Sequence, residues 1–187
     1  MENTLDGVIL SGDQYAATGS LDEKPRYEKE AVFFRDVMED YLKNAPVLDY
    51  LKKEGKNPPP RTYGSLGLDD HAIAAYVEFK QGGKKDSMIV SNGSGKGFVA
   101  RVNDFAGNYG IPASFAKDYV LTHEIMHAAG YKDEAETEKA TGRYFREMAE
   151  KDPDNSKYKV LSNVADIRAK EASGKATYRN LSQAYKI

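Results

Sequence analysis

The chain has 187 residues, of which 40% are hydrophobic, enough for one substantial core but not for two independent domains. Its 27 basic and 29 acidic residues nearly cancel, to a formal charge of -2, and neither sign forms the long run typical of nucleic-acid or membrane-surface binding. Cysteine does not occur, which excludes thiolate metal sites, disulfides and cysteine nucleophiles. Any metal must therefore be bound by His, Asp or Glu.

The amino terminus gives no targeting signal. Residues 1–10 are mixed and acidic, without the basic start and apolar stretch of a secretion signal, and no segment has the length of a membrane span. We therefore expect a cytoplasmic protein that acts without a membrane or nucleic acid; its oligomeric state is left open. Small and polar residues dominate up to Pro25, which predicts a flexible arm over 1–25 and a single domain over 26–187.

The first part of this domain, 26–110, begins with a predicted helix. Apolar residues recur at intervals of three and four from Arg26 to Asn44, the pattern of an amphipathic helix with one face on the core. A shorter helix is expected over 46–54. Three prolines, Pro58 to Pro60, follow and predict an extended connector, since proline lacks the backbone donor that a helix needs.

Beyond the connector, short runs rich in β-branched and aromatic residues indicate strands over 71–80, 86–91 and 97–102. Glycine-rich segments separate them, so we expect a three-stranded antiparallel meander. The segment 92–95 lacks the spacing of a phosphate-binding loop and is interpreted as a hairpin turn.

The second part, 111–187, is predicted to be helical. The expected helices cover roughly 113–129, 133–151 and 157–173, and a short final segment runs through Tyr185. Pro112 and Gly130 lie where helix starts and ends prefer proline and glycine.

The helix over 113–129 contains the motif HExxH, formed by His123, Glu124 and His127. Two histidines four residues apart lie on one helical face, with Cβ atoms about 6 Å apart, so that both imidazoles can bind one ion. Glu124 points beside such an ion, where it can take a proton from metal-bound water. Short motifs also arise by chance, but two of the three histidines fall here, on a helix otherwise apolar enough to be buried.

An open catalytic zinc site needs a third protein ligand. Asp133 is predicted to cap the next helix, with Glu136 completing a capping box. Glu134 and Glu138 then share the inward face, where a carboxylate needs a cation. We therefore favour Glu134 as third ligand and Glu138 as the partner of a ligating histidine, against the alternative of a solvated acidic helix start.

From Pro112 to Ala149 the chain resembles the gluzincins, zincin metallopeptidases whose third ligand is a glutamate on the helix after HExxH. In that family a small residue and a polar residue follow the ligand three and four positions later, where this chain has Thr137 and Glu138. A second resemblance is to the metzincins, because Gly130 and Asp133 complete the spacing HExxHxxGxxD. Asp133 would be the third ligand in that case.

The resemblance implies an α+β, zincin-like fold, in which a small antiparallel sheet lies above the HExxH helix and its edge strand binds an extended substrate. It implies one Zn2+ per chain and a peptide or protein substrate. The expected reaction is hydrolysis of a peptide bond by zinc-bound water that Glu124 activates.

Three further side chains are weaker candidates. Tyr131 follows the glycine turn and is a candidate for stabilising the oxyanion, and four other tyrosines are equally available: Tyr119, Tyr144, Tyr158 and Tyr178. Arg168 is a further candidate, but a solvated surface arginine is the favoured interpretation, and His71 is interpreted as a strand-end surface residue. Two alternatives to an active enzyme stay open: a latent zincin covered by one of its termini, and a non-catalytic interaction module stabilised by metal.

Overall fold

A computed structural model describes residues 7–11, 14–18, 24–69, 71–81 and 84–174, which form five strands and six helices. The strands are β1 (Gly7–Ser11), β2 (Gln14–Thr18), β3 (Thr62–Leu66), β4 (Ala74–Gln81) and β5 (Lys84–Asn92). The helices are α1 (Lys24–Asn44), α2 (Val47–Lys53), α3 (Gly97–Tyr109), α4 (Ala113–Ala128), α5 (Glu134–Lys151) and α6 (Ser156–Ala172). The expected α+β class is confirmed.

The strands form one mixed sheet in the order β2-β1-β3-β5-β4. β4 and β5 pair antiparallel, as predicted, with Tyr76 opposite Ile89. The expectation of a purely antiparallel sheet was wrong, because β5 also pairs parallel to β3, with Tyr63 opposite Ile89. β5 therefore has neighbours on both sides, and β4 is left at the edge of the sheet.

The third predicted strand, over 97–102, is the start of helix α3. Phe98, Val102, Phe105 and Tyr109 are buried and recur at helical spacing, whereas Val99 is 53% exposed. The β-branched and aromatic residues that suggested a strand thus form the core face of a helix, because packing outweighs local propensity. The segment 92–95 consequently joins β5 to α3, and its interpretation as a hairpin turn was also wrong.

Strands β1 and β2 lie within residues 1–25, where the sequence predicted a flexible arm. β1 pairs antiparallel with both β2 and β3. Strand pairing supplies hydrogen-bond partners for the backbone N–H and C=O groups, which the segment by itself lacks. This is the physical reason why the segment forms strands and not the predicted arm.

The other predicted helices agree with α1, α2, α4, α5 and α6 to within two residues. The predicted final segment through Tyr185 lies outside the described residues. One hydrophobic core joins the sheet to the helices and includes Phe34 of α1, Ile89 of β5 and Phe145 of α5. Among the described residues, no helix is long and apolar enough to cross a membrane.

Candidate metal centre

Helix α4 carries the HExxH motif into the interior of the protein. It begins directly after Pro112, and its residues from Tyr119 to Met126 are all buried. His123 and Glu124 are each only 7% exposed. The helix is followed by Gly130, whose φ of +102° lies in a region that side chains rarely adopt. This turn directs the chain back toward the histidines.

Helix α5 begins as the capping pattern predicted. The side chain of Asp133 accepts a hydrogen bond of 3.0 Å from the backbone N–H of Glu136. Asp133 is thereby used as the N-cap, and it does not join the His–Glu cluster that the described residues form. Glu134, the first residue of the helix, points to the histidines instead.

His123, His127 and Glu134 bring three donor atoms together. The Nε2 atom of His127 lies 3.1 Å from Nε2 of His123 and 3.1 Å from Oε2 of Glu134. Oε1 of Glu134 lies 3.2 Å from Nε2 of His123. Donors bound tetrahedrally to one zinc ion at its usual bond lengths are about 3.3–3.5 Å apart. The cluster has nearly this spacing and could hold a metal ion.

The imidazole of His127 is oriented by a contact of its Nδ1 atom, on the side of the ring away from the cluster. Its Nδ1 atom lies 2.8 Å from the carbonyl oxygen of Tyr131, which can only accept a hydrogen bond. Nδ1 therefore carries the proton, and in the neutral imidazole Nε2 presents its lone pair to the cluster. The hydroxyl of Thr137, which is fully buried, lies 3.2 Å from the same nitrogen.

Behind His123 lies the fully buried carboxylate of Glu138. Its Oε1 atom is 3.4 Å from Nδ1 of His123, an ion-pair distance. The hydroxyl of Tyr119 donates a hydrogen bond to the other oxygen, Oε2, and Nε of Arg168 donates one to Oε1. The structure thus places Glu138 against a histidine of the cluster, in the position of a residue that orients a metal ligand.

These contacts change the protonation of the cluster. Burial lowers the pKa of His123, but the carboxylates of Glu134 and Glu138 outweigh it and raise the pKa to about 10. The contact with His123 is the largest cause that lowers the pKa of Glu134 well below its ordinary value. Burial raises the pKa of Glu138, yet the contacts with His123 and Arg168 outweigh it and lower that pKa. The metal-free centre thus contains a histidinium between two carboxylates.

Glu124 is not part of this hydrogen-bonded cluster. Burial raises its pKa above the ordinary value for a glutamate, although the two histidines and a hydrogen bond with the backbone of Tyr76 oppose that effect. A carboxylate with a raised pKa is a stronger base than an ordinary glutamate.

A cavity of about 620 Å³ opens between the edge strand β4 and helix α4. Its lining combines apolar side chains with the three cluster residues and Glu124. Apart from these four it includes His71, Ala72, Ile73, Ala74, Ala75, Tyr76, Glu78, Phe105, Tyr119, Val120, Tyr131, Lys132 and Arg168. The cluster is therefore accessible from a groove along a sheet edge.

The weaker candidates are also located at this cavity. Tyr131 lines it, and its ring contacts the Nζ atom of Lys56, 4.3 Å from the ring centroid. His71 is exposed, as expected, but lies at the cavity rather than away from it. The interpretation of Arg168 as a solvated arginine was wrong, because its guanidinium is bonded to the buried carboxylate of Glu138.

The hydrogen bond of Tyr119 with Glu138 was not predicted from the sequence. Tyr119 precedes His123 by one helical turn, so it lies on the same face of α4, and that spacing was the available signal. Arg168 had no such signal, because it reaches the site from a different helix.

Comparisons with known proteins gave no match, whether to a protein-family model, a curated protein or a solved structure.

Proposed function

We propose that the protein is a zinc-dependent peptidase with His123, His127 and Glu134 as metal ligands and Glu124 as general base. The observation that carries the proposal is the convergence of two imidazole nitrogens and one carboxylate within 3.1–3.2 Å of one another. Groups of this kind gather most favourably around a cation.

The type of donor favours zinc. Two imidazoles and one carboxylate form the set found in open, catalytic zinc sites, whereas structural sites use four protein ligands. Three protein donors leave one position for a reactant, which favours the enzyme over a metal-stabilised interaction module.

When bound, a zinc ion supplies a Lewis acid that polarises the scissile carbonyl and makes an attacking water more acidic. Glu124 accepts the proton of that water and then returns it to the leaving amine. Its burial supports this role, because a carboxylate poorly stabilised as an anion is a stronger base. The carbonyl of Tyr131 orients His127 through a hydrogen bond, and the carboxylate of Glu138 lies at an ion-pair distance of 3.4 Å from His123.

A peptide substrate is supported by the position of β4. Among the described strands, β4 pairs only with β5, and its N-terminal half lines the cavity. An extended peptide can pair with its open edge and place a backbone carbonyl beside the cluster. The apolar side chains of Phe105 and Val120 would then contact the substrate.

The test is to purify wild type and Glu124→Gln without added metal, measure zinc by elemental analysis, and assay both against a fluorescence-quenched peptide library. We expect about one zinc per chain in both proteins, with cleavage by the wild type only. Glu136→Gln is the matched control, because it makes the same change on an exposed side chain of α5 and should cleave normally.

Two results would contradict the proposal. If the wild type takes up no zinc, the metal assignment fails. If it binds zinc but cleaves no peptide before or after limited proteolysis, both the active and the latent peptidase fail, which leaves the metal-stabilised module.

A further inference from the structure

Arg168 of α6 contacts two carboxylates of α5 at once. Its Nε atom donates a hydrogen bond to Oε1 of Glu138, and its Nη2 atom lies 3.6 Å from Oε1 of Glu134. The side chain is 29% exposed, so the guanidinium is largely shielded from water. One cation therefore joins the candidate metal ligand to the carboxylate behind His123.

The two glutamates need such a cation. Glu134 and Glu138 are one helical turn apart, a spacing at which like charges repel, and Glu138 is fully buried. Both carboxylates also lie against the same histidine, His123. Without a positive partner, a buried carboxylate takes up a proton or changes its rotamer.

The guanidinium is itself held in a fixed orientation. It lies over the ring of Phe105, 5.5 Å from the centroid, and α6 packs along α5 so that Arg168 faces the cluster. An arginine in such a setting offers a planar set of donors that can serve two acceptors, whereas a lysine offers a single point charge.

We propose that Arg168 is a positioning residue of the metal centre, which sets the orientation of the Glu134 and Glu138 carboxylates and thereby the affinity for zinc. The inference rests on the proposed function for the identity of the metal. According to this proposal, α6 affects zinc binding through Arg168, although the three proposed ligands lie on α4 and α5.

The experiment compares zinc affinity of the metal-stripped full-length chain, by competition with a chromophoric chelator, in wild type, Arg168→Met and Arg168→Lys. We expect about 10–100-fold weaker binding for Arg168→Met, the range typical of residues that orient metal ligands, and an intermediate value for Arg168→Lys. The visible absorption of bound cobalt should also change in Arg168→Met, because the Glu134 carboxylate is no longer held.

Arg146→Met is the matched control. Arg146 joins the same two helices through an ion pair of 2.9 Å with Asp166, away from the cluster. The Arg146→Met variant should bind zinc like the wild type. A loss of zinc affinity in Arg168→Met then cannot be explained by weaker packing of α5 against α6. In a Glu138→Gln background, Arg168→Met should cause a smaller further loss of zinc affinity than in the wild type. The reason is that one of the two carboxylates that Arg168 contacts has already been replaced.

The outcomes separate this inference from the proposed function. Equal zinc affinity and an unchanged cobalt spectrum in Arg168→Met and wild type would overturn the role of Arg168 and leave the peptidase proposal intact. If Arg168→Met does not fold, Arg168→Lys decides by the same criterion. A wild type that binds no zinc would overturn both.

Discussion

The Nδ1 atom of His127 and the carbonyl oxygen of Tyr131 are 2.8 Å apart, so the turn that ends α4 also orients one of its histidines. The hydroxyl of Thr137 donates to the same carbonyl over 2.8 Å. The first turn of α5 thus contacts the same backbone carbonyl that orients His127. The orientation of Nε2 depends on both helices.

Thr137→Val should weaken zinc binding, because it keeps the shape of the side chain but removes the hydroxyl beside His127. We expect a loss of several-fold to tenfold in affinity and of about 1 kcal/mol in the free energy of unfolding. Chelator competition and urea unfolding measure the two effects. Thr137→Ser, which keeps the hydroxyl, should retain most of the affinity; equal losses in both variants would show that packing alone matters.

Glu134→Ala should reduce zinc affinity by more than the roughly 10–100-fold typical of losing a residue that only orients a ligand. The reason is that the variant removes one of three donors. Glu136→Ala, two residues along on an exposed position of the same helical turn, should bind zinc normally. Elemental analysis and chelator competition give both values.

Asp133→Ala distinguishes the two resemblances in the same assay. It should cost about 1 kcal/mol of stability through loss of the N-cap but keep the zinc. Zinc lost in Asp133→Ala and kept in Glu134→Ala would instead support the metzincin-like ligand set.

Zinc affinity should rise with pH between about 6 and 8, by up to tenfold per unit. The pKa of His123 in the metal-free protein is raised to about 10, so its imidazole is protonated in this range and must lose that proton to bind metal. Glu134, with a lowered pKa, is already ionised. Calorimetry in buffers of different ionisation enthalpy should find about one proton released; an affinity independent of pH would contradict the histidinium.

The metal-free protein should become less stable as pH rises from 7 toward 9. A histidine whose pKa is raised from 6.5 to about 10 contributes stability fully below 6.5 and loses it as pH approaches 10. Thermal melts over this range measure the effect. His123→Asn removes the titrating group, so its melting temperature should fall less with pH; an equal slope in both proteins would place the cause elsewhere.

Removal of zinc by a chelator should lower the melting temperature by roughly 5–10 °C without unfolding the protein at 25 °C. A free metal concentration of about 100 times Kd adds about 2.7 kcal/mol, and a chain of this size shifts by about 2–4 °C per kcal/mol. The hydrophobic core extends from α1 to α6 and consists of side chains other than those of the cluster. Complete unfolding on chelation would instead favour the metal-stabilised module.

Much of the site geometry could be predicted because it is local. Helical periodicity puts His123 and His127 on one face, and the capping pattern at Asp133 fixes which way Glu134 and Glu138 point. The structure brings these residues together as expected. Arg168 could not be assigned in the same way, because its contact with Glu138 joins two helices whose alignment no local pattern encodes.

The sheet was harder to predict for the same reason. The pairing of β3 with β5 joins segments separated by a whole strand, and nothing near Tyr63 indicates its partner. Helix α3 was mistaken for a strand because Phe98 and Val102, four residues apart, share a face at both periodicities over so short a run. The N-terminal strands did carry a signal: two apolar runs separated by Gly12 and Asp13, a typical hairpin dipeptide.

All three candidate donors come from one short stretch of chain, from His123 to Glu134, joined by the turn at Gly130. The cavity above them depends on β4, whose neighbour β5 is aligned by the distant strand β3. Contacts close in sequence form faster than distant ones, since less chain entropy is lost in closing the loop. During folding the cluster of His123, His127 and Glu134 can therefore assemble as a helical hairpin before the sheet that lines its cavity is in place.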